Sequence, residues 1–253
     1  MIVNNYISWF ESLFQTGEKP YLQNQAALDF LKREHARYNA LIAGAGTVLV
    51  AGAATIPPVV LAGGAVSLTA IEFSKPVDRL ISVVEELLKI DGIIVTPRVK
   101  TAEGTIDLLV KMPDRRCFAF TLRSKQNSRV KWREKEQEFF TVTPRKGKAA
   151  RVKKWSELIE SGQDLNKMTL ALKKQKSYLL GESRTERHYP ITKAIILTST
   201  TKIDPNNDLD LFVDFGETKA LRVHAGSYMY VLEQRDIIKF LAPVPKQIGR
   251  AHV

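Results

Sequence analysis

Two short stretches decide the fold: Gly104-Thr105-Ile106-Asp107-Leu108-Leu109-Val110 and Phe118-Ala119-Phe120-Thr121-Leu122-Arg123-Ser124. Gly104 supplies a turn, and Ile106 to Lys111 then reads as a strand. Pro113-Asp114 closes the next turn, and Cys117 to Leu122 reads as a further strand. Upstream, Val77, Leu80, Ile81, Val84, Leu87 and Leu88 keep the 3.6-residue period of an amphipathic helix. Lys75-Pro76 reads as the start of that helix and Gly92 as its end, with a strand over Ile93 to Val99. Downstream, short strand-like pieces at Arg129–Trp132 and Glu138–Val142 suggest a hairpin projecting from the main sheet. A helix is expected over Leu165–Leu180, with Leu170, Leu172 and Leu179 toward the sheet, and Ala194–Thr198 is apolar enough for a buried strand. Leu209–Val213 and Leu221–His224 read as peripheral strands, and Arg235–Leu241 as a short closing helix.

Around this α/β pattern, charge and apolar residues are placed unevenly. The 253-residue chain has 38 Lys+Arg against 27 Asp+Glu, a net charge of +11. Twelve of the basic residues fall between Arg123 and Lys154, offset only by Glu134, Glu136 and Glu138, so that stretch carries +9 of the total. A field so concentrated attracts a polyanion, either nucleic-acid phosphate or anionic lipid headgroups. The candidate contacts are Arg129, Lys131, Arg133, Lys135, Arg145, Lys146, Lys148, Arg151, Lys153 and Lys154. Trp132, Phe139, Phe140 and Trp155 interleave with them, either as a surface for stacking single-stranded bases or as anchors to the core.

From Asn39 to Ile71 no charged residue occurs, and Pro57-Pro58 divides its 41–71 portion into arms of 16 and 13 residues. At ~1.5 Å per residue a helical arm of that length falls short of a ~30 Å hydrocarbon core. Residues 41–71 therefore suit a membrane-embedded helical hairpin, Gly-rich enough for close helix approach, or a helical hairpin buried in a protein interface. Basic flanks at both ends (Lys32, Arg33 and Arg37; Lys75 and Arg79) put both on the cytoplasmic side of a membrane. Ile2–Phe14, with Trp9, Phe10 and Phe14, reads as an interfacial helix or as a segment packed on the body. A secretory signal peptide is not expected, since the apolar run begins some forty residues in. The expected organisation is an N-terminal helix and apolar hairpin over 1–74, an α/β domain over 75–242 with a basic hairpin insertion at 125–154, and an extended tail over 243–253.

The order of elements, with the two quoted stretches, resembles the PD-(D/E)XK nuclease superfamily, and within it the nuclease-related (NERD) branch, over roughly Lys75 to Leu241. The resemblance implies a restriction-endonuclease-like mixed sheet flanked by helices. It also implies a second-strand aspartate beside a third-strand Asp/Glu that together hold Mg²⁺, with a lysine two residues on along the same strand face. Asp107 matches the aspartate, but Thr121 stands at the acid position and Arg123 at the lysine position. A hydroxyl cannot replace an anionic ligand, and a guanidinium stays protonated and cannot act as a general base. Glu85, at the margin of the apolar face centred on Val84, is the first-helix acid able to reach toward the sheet. With two carboxylates at most, the site is expected to bind nucleic acid or another polyanion without cutting it, and no cofactor is expected. The alternatives are an active Mg²⁺-dependent nuclease with a migrated acidic ligand, or an assembly factor binding anionic lipid or an acidic protein. A second reading of Asp107 is a loop cap or a structural partner of Arg123.

Other chemistries lack their residues. The four histidines (His35, His188, His224, His252) have no metal-ligand spacing, and a single cysteine (Cys117) excludes an internal disulfide framework. No phosphate-binding Gly-rich loop with its lysine and no Gly-x-Ser-x-Gly elbow is present.

Overall fold

A computed structural model describes residues 21–52, 57–175, 177–180, 190–215, 217–224 and 227–242. The expected Ile2–Phe14 segment, the side chains of residues 44–69 in the apolar run, and the tail 243–253 lie outside the described residues. The fold is mixed α/β. Helices α1 (Asn24–Gly52) and α2 (Pro57–Leu87) lead into three strands, β1 (Ile94–Thr101), β2 (Gly104–Lys111) and β3 (Cys117–Arg123). Next come β4 (Arg129–Arg133), β5 (Glu138–Arg145), β6 (Lys148–Lys154) and helix α3 (Ser156–Gln175). The chain continues through β7 (Ile191–Leu197), β8 (Lys202–Ile203), β9 (Phe212–Phe215), β10 (Thr218–His224), β11 (Tyr228–Glu233) and helix α4 (Ile237–Leu241).

Among the described residues the main sheet has seven strands, in the order β1-β2-β3-β7-β11-β10-β9. β1, β2 and β3 form an antiparallel meander, β7 lies parallel to β3, and β11 parallel to β7. The parallel step from β3 to β7 needs a long crossover, and α3 provides it. Its Glu157 in the first turn and Lys173 and Lys174 in the last complement the helix dipole. One face of the sheet packs on α1, α2 and α4, through Leu28, Leu31, Val77, Leu80, Val84 and Phe240 against Val110, Phe118, Phe120 and Ile196. The opposite face packs on α3, whose Leu165, Met168 and Leu172 cover Leu109 and Ala119.

Several expectations need correction. Pro76 does not begin a helix; it lies inside α2, so the boundary expected between residues 74 and 75 falls within one helix. Proline removes one N–H from the ladder. The helix continues because Ala70 and Val77, on either side, are both buried, and the Ser74 hydroxyl donates to the Ile71 carbonyl at 3.0 Å. The proline pair at Pro57 instead opens α2, where no N–H partner is needed. α1 and α2 run antiparallel, with Tyr38 stacked on Phe73 and Lys32 paired to Glu85. No helix among the described residues is long and apolar enough to cross a membrane.

The basic insertion is not a hairpin carried on the main sheet. It is three strands of a separate four-stranded sheet, ordered β6-β5-β4-β8, with β8 joining parallel to β4. The crossover helix begins at Ser156 rather than Leu165, and Leu170 is exposed at 54% while Leu172 is fully buried. β11 was not expected from the sequence, and β9 starts at Phe212 instead of Leu209.

Candidate functional site

β2 and β3 pair from Lys111↔Cys117 to Leu108↔Phe120, and the ladder then opens. Asp107 and Thr121 stand at that opening. The Asp107 carboxylate fills it: Oδ2 accepts from the Leu122 backbone N–H at 2.8 Å, from the Thr121 hydroxyl at 2.9 Å and from Arg123 Nη1 at 3.3 Å. Strand alternation sends Asp107, Thr121 and Arg123 to the face covered by α3. There Arg123 Nε donates to Ser161 Oγ at 2.6 Å, and Ser161 Oγ in turn donates to the Glu157 carbonyl one helical turn back. Arg123 Nη1 also donates to the Leu122 carbonyl at 2.8 Å. Arg123 and Asp107 are about one-third exposed, so the pair faces solvent at its rim while Thr121 is buried.

The structure thus brings Asp107, Thr121 and Arg123 together and leaves Glu85 apart. Glu85 lies on α2, which packs on the opposite face of the sheet, and it is exposed and paired to Lys32 at 2.6 Å. The expected reach of Glu85 toward the sheet is not made: α2 buries Val83 as well as Val84, which turns Glu85 toward α1. Ser161, which anchors Arg123, carries no signal in the sequence, because nothing local to it marks it out from the other polar positions of an amphipathic helix.

The donor set does not suit Mg²⁺. Among the described residues one carboxylate stands there, one of its oxygens already takes three donors, and a guanidinium stands beside it, whereas the ion needs several oxygen ligands. Among the described residues no group of three His, Cys, Asp or Glu side chains converges. Elsewhere on the same sheet face, Lys193 of β7 donates to Asn166 Oδ1 at 2.6 Å and to Ser227 Oγ at 3.2 Å. Burial first, and the charge of Lys173 second, hold its pKa below the ordinary lysine value.

The second sheet is two-faced. Val130, Trp132, Phe139 and Thr141 are buried on one face, where the apolar side chains join Trp155, Leu158, Leu197 and Val231. Three of the four aromatic residues of the basic stretch are therefore core anchors, not stacking platforms. Only Phe140 remains half-exposed, with the Arg133 guanidinium 4.3 Å over its ring. Register places Lys131, Phe140 and Lys154 in one row and Lys202, Arg129, Val142 and Val152 in the next, on the outer face. Lys202 joins this face across a separation of 73 residues, through parallel pairing that no local pattern reveals. Arg133 pairs with Glu136 at 3.4 Å and Lys154 with Glu138. Lys135 sits in the exposed turn between β4 and β5. Arg145, Lys146, Lys148, Arg151 and Lys153 are all exposed at the β5–β6 end, and none has an ion-pair partner among the described residues.

No protein-family model, no curated protein and no solved structure matches this chain.

Proposed function

We propose that the chain is a nuclease-like protein of PD-(D/E)XK ancestry that binds nucleic acid or a similar polyanion through its second sheet and does not hydrolyse it. The observation that carries this reading is the cluster of Asp107, Thr121 and Arg123, in which a hydroxyl stands at the position where the resemblance implies an acid and a fixed cation at the position where it implies a lysine. The order of helix, antiparallel meander, crossover helix and strand parallel to the third supports the ancestry. An arginine held by Asp107 and Ser161 keeps its charge at the sheet opening, where it favours phosphate without activating water. The test is incubation of the full chain with labelled DNA and RNA in Mg²⁺ and in Mn²⁺, beside heparin retention in a salt gradient. The expected result is salt-sensitive binding with no cleavage above that of Asp107→Ala. Cleavage that Asp107→Ala abolishes would establish the active-nuclease alternative instead.

The charge-free run favours a membrane attachment through residues 41–71, with the α/β body on the cytoplasmic side. Membranes washed with high salt and then alkaline carbonate are expected to retain the protein. Release by salt alone counts against an embedded hairpin and leaves electrostatic attachment.

A further inference from the structure

The acid-free end of the second sheet has a shape as well as a charge. Between Phe139 and Ser156 no Asp or Glu occurs, while Arg145, Lys146, Lys148, Arg151, Lys153 and Lys154 do. β5 and β6 pair antiparallel through Thr143↔Arg151 and Arg145↔Lys148, with a bulge between Thr143 and Arg145. The last buried residue of this ribbon is Thr141, opposite Lys153; every residue from Pro144 to Lys154 is exposed. Beyond Thr141 a two-stranded ribbon therefore extends past the folded body, which at ~3.3 Å per residue is on the order of 10–15 Å.

Its side chains alternate in size, and every charge on it is positive. Arg151 and Lys153 point to one face and Val152 and Lys154 to the other, while the apex is slim: Gly147 sits at φ +67° and is followed by Lys148, Ala149 and Ala150. A slim projecting tip with cations close to it on both strands suits a slot with anionic walls on two sides better than a flat anionic surface. B-form DNA offers such a slot: its major groove is about 12 Å wide and 8.5 Å deep, and admits a two-stranded β-ribbon. The A-form groove of duplex RNA is too narrow, and single strands present no walls. We propose that the β5–β6 ribbon enters the major groove of duplex DNA, with Arg145, Lys146, Lys148, Arg151 and Lys153 reaching the flanking phosphates. This rests on the polyanion reading above and names the polyanion. The outer face of β4 and β5 is the weaker candidate, because Glu136 and Glu138 already pair with its Arg133 and Lys154.

The test is fluorescence anisotropy with the full chain and four probes: a 24-base-pair DNA duplex, the RNA duplex of the same sequence, one DNA strand alone, and heparin. The DNA duplex is expected to bind at least tenfold more tightly than the RNA duplex or the single strand. Five released counterions give a slope near −4.5 in log K against log salt, a loss of about 500-fold between 50 and 200 mM. Exchanging the five cations for Gln should remove most of that slope. Ala149→Tyr with Ala150→Tyr thickens the apex at constant charge and at exposed positions; it should weaken duplex DNA binding at least tenfold and leave heparin binding unchanged. Circular dichroism of each variant, expected to match the parent, separates a lost contact from a lost fold. Equal affinity for all four probes, or an apex variant that binds duplex DNA as the parent does, overturns groove entry while the polyanion reading stands. Binding to none of the probes overturns both.

Discussion

Replacing Asp107 with alanine strips three donors of their acceptor at once. Leu122 N–H, in a residue only 8% exposed, loses a 2.8 Å bond to a charged oxygen, which costs about 2 kcal/mol when a buried donor is stranded. The Thr121 hydroxyl, also buried, adds about 1 kcal/mol, and the one-third-exposed Arg123 pair adds only a few tenths because solvent screens it. Asp107→Ala should therefore destabilise the protein by about 3 kcal/mol. With a urea dependence of about 2.5 kcal/mol per molar, the midpoint should fall by roughly 1 M. Asp107→Asn keeps an oxygen for the Leu122 N–H and gives up the charge, so it should cost only about 1 kcal/mol. Urea titration followed by tryptophan fluorescence, with and without 10 mM MgCl₂, reads both variants against the parent. A metal-binding carboxylate predicts something else. A site of about 1 mM affinity would stabilise the parent by ~1.4 kcal/mol in 10 mM Mg²⁺ and would lose that gain on substitution. Asp107→Ala with less than 0.5 kcal/mol effect, or a Mg²⁺ gain that the substitution abolishes, refutes the view of Asp107 as the acceptor that closes the β2–β3 opening.

Three further outcomes follow from the geometry. Arg98, at φ +53°, donates to both oxygens of the buried Glu34 at 2.9 and 2.7 Å, so Arg98→Ala should cost about 2–3 kcal/mol by leaving a buried carboxylate with Tyr38 as its donor; an effect under 0.5 kcal/mol in a urea titration counts against the clasp. Burial, then the charge of Glu34 and its hydrogen bond, push the Tyr38 pKa up to about 12, although Arg98 pulls it down. The unfolded chain then ionises first, so stability should be complete below pH 10 and fall by roughly 2–3 kcal/mol as pH rises to about 12; Tyr38→Phe should flatten that part of the profile, and a parent whose stability holds level from pH 10 to 12 contradicts the shift. On α3, a Cβ at Gly162 meets the Met229 thioether, so Gly162→Ala should cost about 1–3 kcal/mol, and a second change, Met229→Ala, should relieve the clash in a double-mutant cycle. Simple additivity of the two changes would show that the contact is not what excludes a side chain there.

Local pattern carried the meander well. The apolar alternation around Asp107 and the turn residues Gly104 and Pro113-Asp114 locate β2 and β3, because strand pairing between neighbours in sequence leaves a local signal. The first half of α3 was not legible: Ser161 and Gly162 interrupt its apolar period, and they are there because Arg123 and Met229 need a hydroxyl and an empty space. Pro76 misled for a similar reason, since a breaker is tolerated where burial on both sides holds the helix. Lys202 and Ser161 reach their places through long-range pairing and packing, which no window of the sequence contains.

By itself, the sequence determined which residue types stand at the sheet opening and where the charge lies: Asp107, Thr121 and Arg123 at strand spacing, and a +9 stretch from Arg123 to Lys154. Those are properties of composition and of the two-residue strand period. Only tertiary structure decided that Arg123 turns onto Asp107 and Ser161, that Glu85 faces Lys32 on the far side of the sheet, and that Trp132, Phe139 and Trp155 are spent in the core. Such choices depend on which helix covers which face, and a face is assigned by packing between elements distant in the chain.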